Sequence, residues 1–163
     1  IDRCQTRLFA FVNICGLGMT DIAHEQNLYD LDPRLTAKAA KDNEDIVVGI
    51  KTAHYYGPDW TSVDRCLEAA DLAETRVMID FGFFKKERPY YQLLTEKLRK
   101  GDISTHVFRG PTPWFDSKGR VLSYLHEARS KGVVLDVGHG AGSFCFRNAV
   151  PAVDQGFFPD SIS

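Results

Sequence analysis

Four polar residues, Lys51, Asp80, His106 and His139, each close a short apolar run of the sequence. The runs are IVVGIK, RVMID, DISTH and VVLDVGH, and the four residues fall 29, 26 and 33 positions apart. Imidazole nitrogen and carboxylate oxygen are ordinary ligands of divalent zinc, and paired divalent ions polarise a carbonyl while acidifying water. A lysine, a carboxylate and two histidines gathered on one rim would suit metal-dependent hydrolysis. The spacing is close to that of a strand, helix, strand unit. A (β/α) barrel repeats that unit and carries its chemistry where its strands end.

Each residue also has a plainer role. A strand-end lysine is commonly solvated or salt-bridged, and Asp80 could cap a helix. His106 could be a satisfied core histidine, and His139, flanked by glycines, could simply sit in a left-handed turn. Their joint placement on successive strand ends is what favours a site. Strand alternation puts Lys51 on one face with Val47 and Gly49, and His106 with Asp102 and Ser104, which fits a packed interior.

The elements needed to position them alternate regularly. Strands are expected over residues 8–14, 46–51, 76–80, 102–108 and 133–137, each rich in β-branched or aromatic residues. Between them, Asp32 and Pro33 read as an N-cap and first-turn pair, with Leu35, Ala39 and Ala40 on the apolar side. A helix over 62–74 would start at a Ser62 cap and bury Val63, Leu67, Ala70 and Leu72. Helices over 89–100 and 120–131 would stop at Gly101 and Gly132, and a last one would span 144–154. The long loop RGPTPWFDSKG reads as a pocket-shaping segment. The order is βαβαβαβαβα with the start of a further strand, which implies a parallel sheet: a barrel or an open doubly wound sheet. The open sheet would want a phosphate loop, of which GLGM is a weak echo.

Composition bounds the rest. The chain has 163 residues, 44% hydrophobic and 26% charged, enough for a core and expected to form one domain over 1–163 with no second domain. A formal charge of -2 argues against a nucleic-acid partner. Cys4, Cys15, Cys66 and Cys145 form no CxxC pair and read as reduced thiols, which suggests a cytoplasmic location. The apolar stretch LFAFVNICGLGM is too short to span a bilayer, so no membrane partner and no targeting segment are expected.

Three longer strings, KLRKGDISTHVFRG, GVVLDVGHGAGSF and GFFPDSIS, together with DIVVGIKT, resemble the amidohydrolase superfamily, in its dihydroorotase-related deacetylase branch. The resemblance covers nearly the whole chain. It implies a partial (β/α)8 TIM-type barrel, roughly strands 3 to 7 with their helices and the start of strand 8. It also implies one or two divalent metal ions, zinc foremost, a small-molecule amide substrate and a homo-oligomeric intact protein. On this pattern Lys51 would be the carboxylated lysine that bridges the metals, His106 the sixth-strand histidine ligand, and His139 with Gly140 part of the substrate pocket. Carbamate formation needs a neutral amine, which burial at a barrel mouth favours.

The sequence departs from the family at three places. Asp80 stands where the family has a fifth-strand histidine, a harder ligand that would alter metal preference. The family's HxH pair has no counterpart, since His24 and His54 lack partners at that spacing. The general-base aspartate would fall just beyond Ser163. The expectation is therefore a fragment of an amidohydrolase, inactive alone. Two alternatives stand beside it: a non-catalytic degenerate barrel piece serving binding or assembly, and a phosphate-binding open α/β enzyme.

Overall fold

The computed structural model describes residues 4–140 and 142–163. They form two compact units, Ile1–Ile79 and Asp80–Ser163. In the first unit the order is β1 (Ala10–Asn13), two short 3-10 turns (His24–Gln26 and Leu28–Asp30), α1 (Pro33–Asp42), β2 (Val47–Thr52), α2 (Thr61–Leu72) and β3 (Arg76–Ile79). The strands pair in parallel, with Asn13 opposite Lys51 and Lys51 opposite Met78. Parallel pairing is what helix crossovers between successive strands require.

The pairing sorts the residues by face. Ile50, Val77 and Ile79 are fully buried, and Val63, Cys66, Ala69 and Ala70 of α2 are buried with them. Phe11, Gly49, Asn13 and Lys51 lie on the other face. Gly49 is there for space, since a Cβ would drive into the Phe11 ring.

The second unit runs α3 (Tyr90–Gln92), which continues as a π turn (Leu93–Lys97), then β4 (Ile103–Ser104), α4 (Ser123–Lys131), β5 (Val134–Leu135) and α5 (Phe146–Asp154). β4 and β5 are parallel. A further parallel bridge joins Asp136 to Ser161, which is the start of the next strand that the sequence anticipates. The α/β alternation is that of a partial TIM-type barrel.

Several local expectations need correction. Asp32 does cap α1, its Oδ1 accepting from Arg34 N at 2.8 Å and Leu35 N at 3.1 Å. Leu35, however, is 68% exposed, and Thr36, Ala37 and Ala40 form the buried stripe. Ser62 lies buried inside α2 and caps nothing; Asp59 Oδ1 accepts from Thr61 N instead, at 2.8 Å. Leu72 faces solvent while Cys66 and Ala69 fill its expected place. Residues 102–108 are a strand only at Ile103–Ser104, because His106 takes φ 58° and breaks extension. The helix expected over 89–100 is a single α turn that widens into a π turn and ends at Lys97, short of Gly101, and α4 and α5 begin three and two residues later than expected. Gly132 ends α4 at φ 89°, in the left-handed conformation that favours glycine.

The loop RGPTPWFDSKG turns inward. Trp114 is 1% exposed, stacks on Phe108 at 4.8 Å and donates from Nε1 to Val107 O at 2.6 Å. Its tip closes through Asp116, which accepts from Lys118 N and Arg120 N. Thr112 and Trp114 thus anchor the loop in the core of its own unit, while Arg109 and Thr112 also line the small pocket beside Asp80 and His106. Among the described residues no helix is long and apolar enough to cross a membrane.

The Asp32 cap gives a direct check on the fold. Asp32→Ala should cost about 1 kcal/mol of stability in urea unfolding, with Asp32→Asn nearly neutral. Equal stability of both variants and the parent would show that α1 does not depend on this cap.

Candidate functional site

Asp80 and His106 meet. Asp80 follows β3 directly, and His106 stands two residues beyond β4, so both mark the C-terminal ends of strands. His106 Nε2 lies 3.3 Å from Asp80 Oδ2, with side-chain exposures of 19% and 4%. His106 Nδ1 donates to Gly138 O at 2.6 Å, because a carbonyl can only accept. That bond places one ring proton on Nδ1. Nε2 then faces a carboxylate oxygen, and a contact this close needs either a second ring proton or a cation between the two atoms.

The other oxygen of Asp80 is held by the chain itself. Oδ1 accepts from Gly82 N at 3.0 Å and lies 3.4 Å from Arg109 Nη1, which also donates to Gly82 O at 2.9 Å. Arg109 is thus an internal counter-charge to Asp80.

Lys51 is the penultimate residue of β2 in the first unit and is half-buried. Its ammonium makes no ion pair or hydrogen bond with another described residue. Asn13, its register partner, shares its face and directs Nδ2 to Glu25 Oε1 at 3.5 Å. Glu25 is 2% exposed, and its Oε2 lies 2.7 Å from His54 Nδ1. His54 sits at φ 51°, unusual for a residue with a Cβ. Gln26 brackets it by donating to His54 O at 2.8 Å and accepting from Tyr56 N at 2.9 Å. Strained backbone held from both sides is typical of functional positions. The sequence reading passed over Glu25 and treated His54 only as a histidine without an HxH partner. The tripeptide HEQ in a 3-10 turn offers no periodicity by which to find it.

His139 and Gly140 are exposed. The His139 ring lies 5.2 Å from the Phe144 ring, and its amide donates to Ser163 O at 3.0 Å. The residue of this motif that touches His106 is Gly138, at φ 50°, where a Cβ would collide with Thr105 Oγ1 and the His106 ring. The left-handed residue expected at His139 is thus Gly138.

The donor types at Asp80 and His106 fit a divalent cation: an imidazole with a backbone-fixed tautomer and a buried carboxylate. Their number falls short of a full coordination shell. Among the described residues no group of three histidine, cysteine or acidic side chains is placed to hold an ion.

Comparison with known proteins bears on what this arrangement belongs to. No family model matches. A deacetylase of Brucella anthropi is 30% identical over all of this chain and 42% of its own length. A deacetylase of Agrobacterium fabrum is 28% identical over all of the chain and 41% of its own. An adenine deaminase crystal structure superposes with a TM-score of 0.87 at 28% identity, covering 99% of this chain and 45% of that one. A dihydroorotase structure gives 0.80 at 27% identity, covering 100% and 45%. These relatives and neighbours point to the amidohydrolase superfamily. The chain spans under half the length of the curated relatives it matches, and its sheet corresponds to part of the neighbours' barrels.

Two outcomes follow from this geometry. Asp80→Ala should destabilise the chain by about 3 kcal/mol in urea unfolding, since it leaves the Gly82 amide without its acceptor and the part-buried Arg109 without its counter-charge. A neutral or stabilising effect would mean that Asp80 is held under strain. Burial pushes the Cys15 thiol pKa up, and its hydrogen bond to Asp30 adds to the shift, so less thiolate forms there at a given pH. Thiol-specific reagent at pH 8 should therefore label exposed Cys4 first and Cys15 only on unfolding; equal rates would contradict this burial.

Proposed function

We propose that this chain contributes part of the barrel and part of a divalent-cation site to an amidohydrolase that cleaves the amide bond of an N-acyl amino acid, cyclic amide or similar small molecule. The observation that carries this reading is the His106 ring, turned by its Nδ1 bond to Gly138 O so that Nε2 faces Asp80 Oδ2. The deacetylase relatives and the deaminase and dihydroorotase neighbours support hydrolysis of a C–N bond.

His106 Nε2 and Asp80 Oδ2 would hold the ion, zinc being the first candidate. When bound, such an ion supplies Lewis acidity toward a carbonyl and toward water. The remaining work falls to the protein. Gly138 O keeps His106 in one tautomer, and Gly82 N with Arg109 stabilises the Asp80 charge from the side away from the ring. Within its own unit, Lys51 would become an anionic oxygen ligand if its amine took up carbon dioxide, forming an N–C bond and releasing one proton. A half-buried amine without an ion partner among the described residues suits that conversion.

A second reading rests on Arg109. Its guanidinium already compensates Asp80, as it would in a barrel that serves binding or assembly without a metal. Zinc titration by calorimetry separates the two. Under the first reading the chain binds zinc, and His106→Ala weakens binding at least about tenfold. Protein carrying this chain should also release acetate from N-acetyl amino acids, lose that activity to a chelator and regain it with zinc. No zinc binding by the parent chain, together with no hydrolysis, would sink the enzymatic reading and leave the second.

A further inference from the structure

We propose that Asp136 is the positioning residue of the His106 site, its single carboxylate coupling the His106 ring to residues 161–163. The inference rests on the reading of His106 as a metal ligand, but its physical basis is independent of any ion. Asp136 is 1% exposed and, among the described residues, forms no ion pair. A buried carboxylate of this kind is costly unless fully hydrogen-bonded. Three hydroxyls meet that need. Oδ2 accepts from Thr105 Oγ1 at 2.6 Å and Ser163 Oγ at 2.8 Å, and Oδ1 accepts from Ser161 Oγ at 2.7 Å.

These three bonds tie together the pieces that fix the ring. Thr105 immediately precedes His106, whose φ of 58° needs support from its surroundings. The Asp136 backbone brackets the same turn, donating to Ser104 O at 2.9 Å and accepting from Val107 N at 3.2 Å. Two residues on, Gly138 O takes the His106 Nδ1 proton. Meanwhile the amides of Val137 and His139 donate to Ser161 O and Ser163 O, each at 3.0 Å. The segment 136–139 is thus clamped between His106 on one side and residues 161–163 on the other. A carboxylate suits the clamp because both its oxygens are acceptors, whereas an amide turns one flank into a donor.

The test uses the whole chain with zinc as probe and the ring nitrogens of His106 read by 15N NMR. In the metal-free parent, at a pH high enough that the ring is neutral, the Nδ1–H tautomer should predominate. Asp136→Asn and Thr105→Val should each mix the tautomers and weaken zinc binding by about 10- to 100-fold, while Thr105→Ser restores both. Ser161→Ala should leave the tautomer intact and speed hydrogen exchange at the Val137 amide. If Asp136→Asn fails to fold by circular dichroism, Thr105→Val carries the test. Unchanged tautomer and zinc affinity in Thr105→Val would overturn the proposal. If the parent shows the tautomer but binds no zinc, the metal reading falls, and the ring signal alone then decides the role of Asp136.

Discussion

Everything at the candidate site depends on one hydrogen bond, from His106 Nδ1 to the carbonyl of Gly138. It makes the two ring nitrogens unequal and points Nε2 at the buried Asp80 carboxylate, the contact on which the proposed cation site rests. The bond is possible only because two residues adopt left-handed backbone. Gly138 does so with the space that glycine allows, and His106 does so held by the hydrogen bonds around it. Barrel geometry explains why the two residues meet at all: each stands where a parallel strand gives way to its loop.

The strand ends were legible in the sequence because buried parallel strands are almost continuously apolar, so a Lys, Asp or His that closes such a run is conspicuous. The parallel alternation and the start of a further strand at Ser161 were legible for the same reason. What the sequence did not show is set by three-dimensional partners. The strand over 102–108 stops at Ser104 because His106 bends away, a choice made by Gly138 and Asp136 some thirty residues later. The inward stripe of α1 is Thr36, Ala37 and Ala40 in place of Leu35, since small residues let the helix lie close to the strands. In the GHG motif the eye goes to the histidine, while the contact to His106 is made by the glycine before it. Glu25 was invisible because nothing local marks an acid that will be buried against a histidine 29 residues away.

The two units carry chemistry of different kinds. In the second, the His106 imidazole and the Asp80 carboxylate face each other, with Arg109 on the other oxygen of the acid. In the first, the buried Glu25 carboxylate holds the His54 ring just past the end of β2, the strand that carries Lys51. The competition between Arg109 and a cation for Asp80 decides which description of the protein is right. A guanidinium neutralises a carboxylate without polarising anything else, whereas a divalent ion makes the same carboxylate part of a catalytic centre.

Anomalous diffraction from zinc-soaked crystals addresses that competition most directly. The account requires a zinc peak within about 2.0 to 2.2 Å of both His106 Nε2 and Asp80 Oδ2, with the Gly138 hydrogen bond retained. A zinc-free pair under saturating metal, with Arg109 still on Asp80, would contradict it.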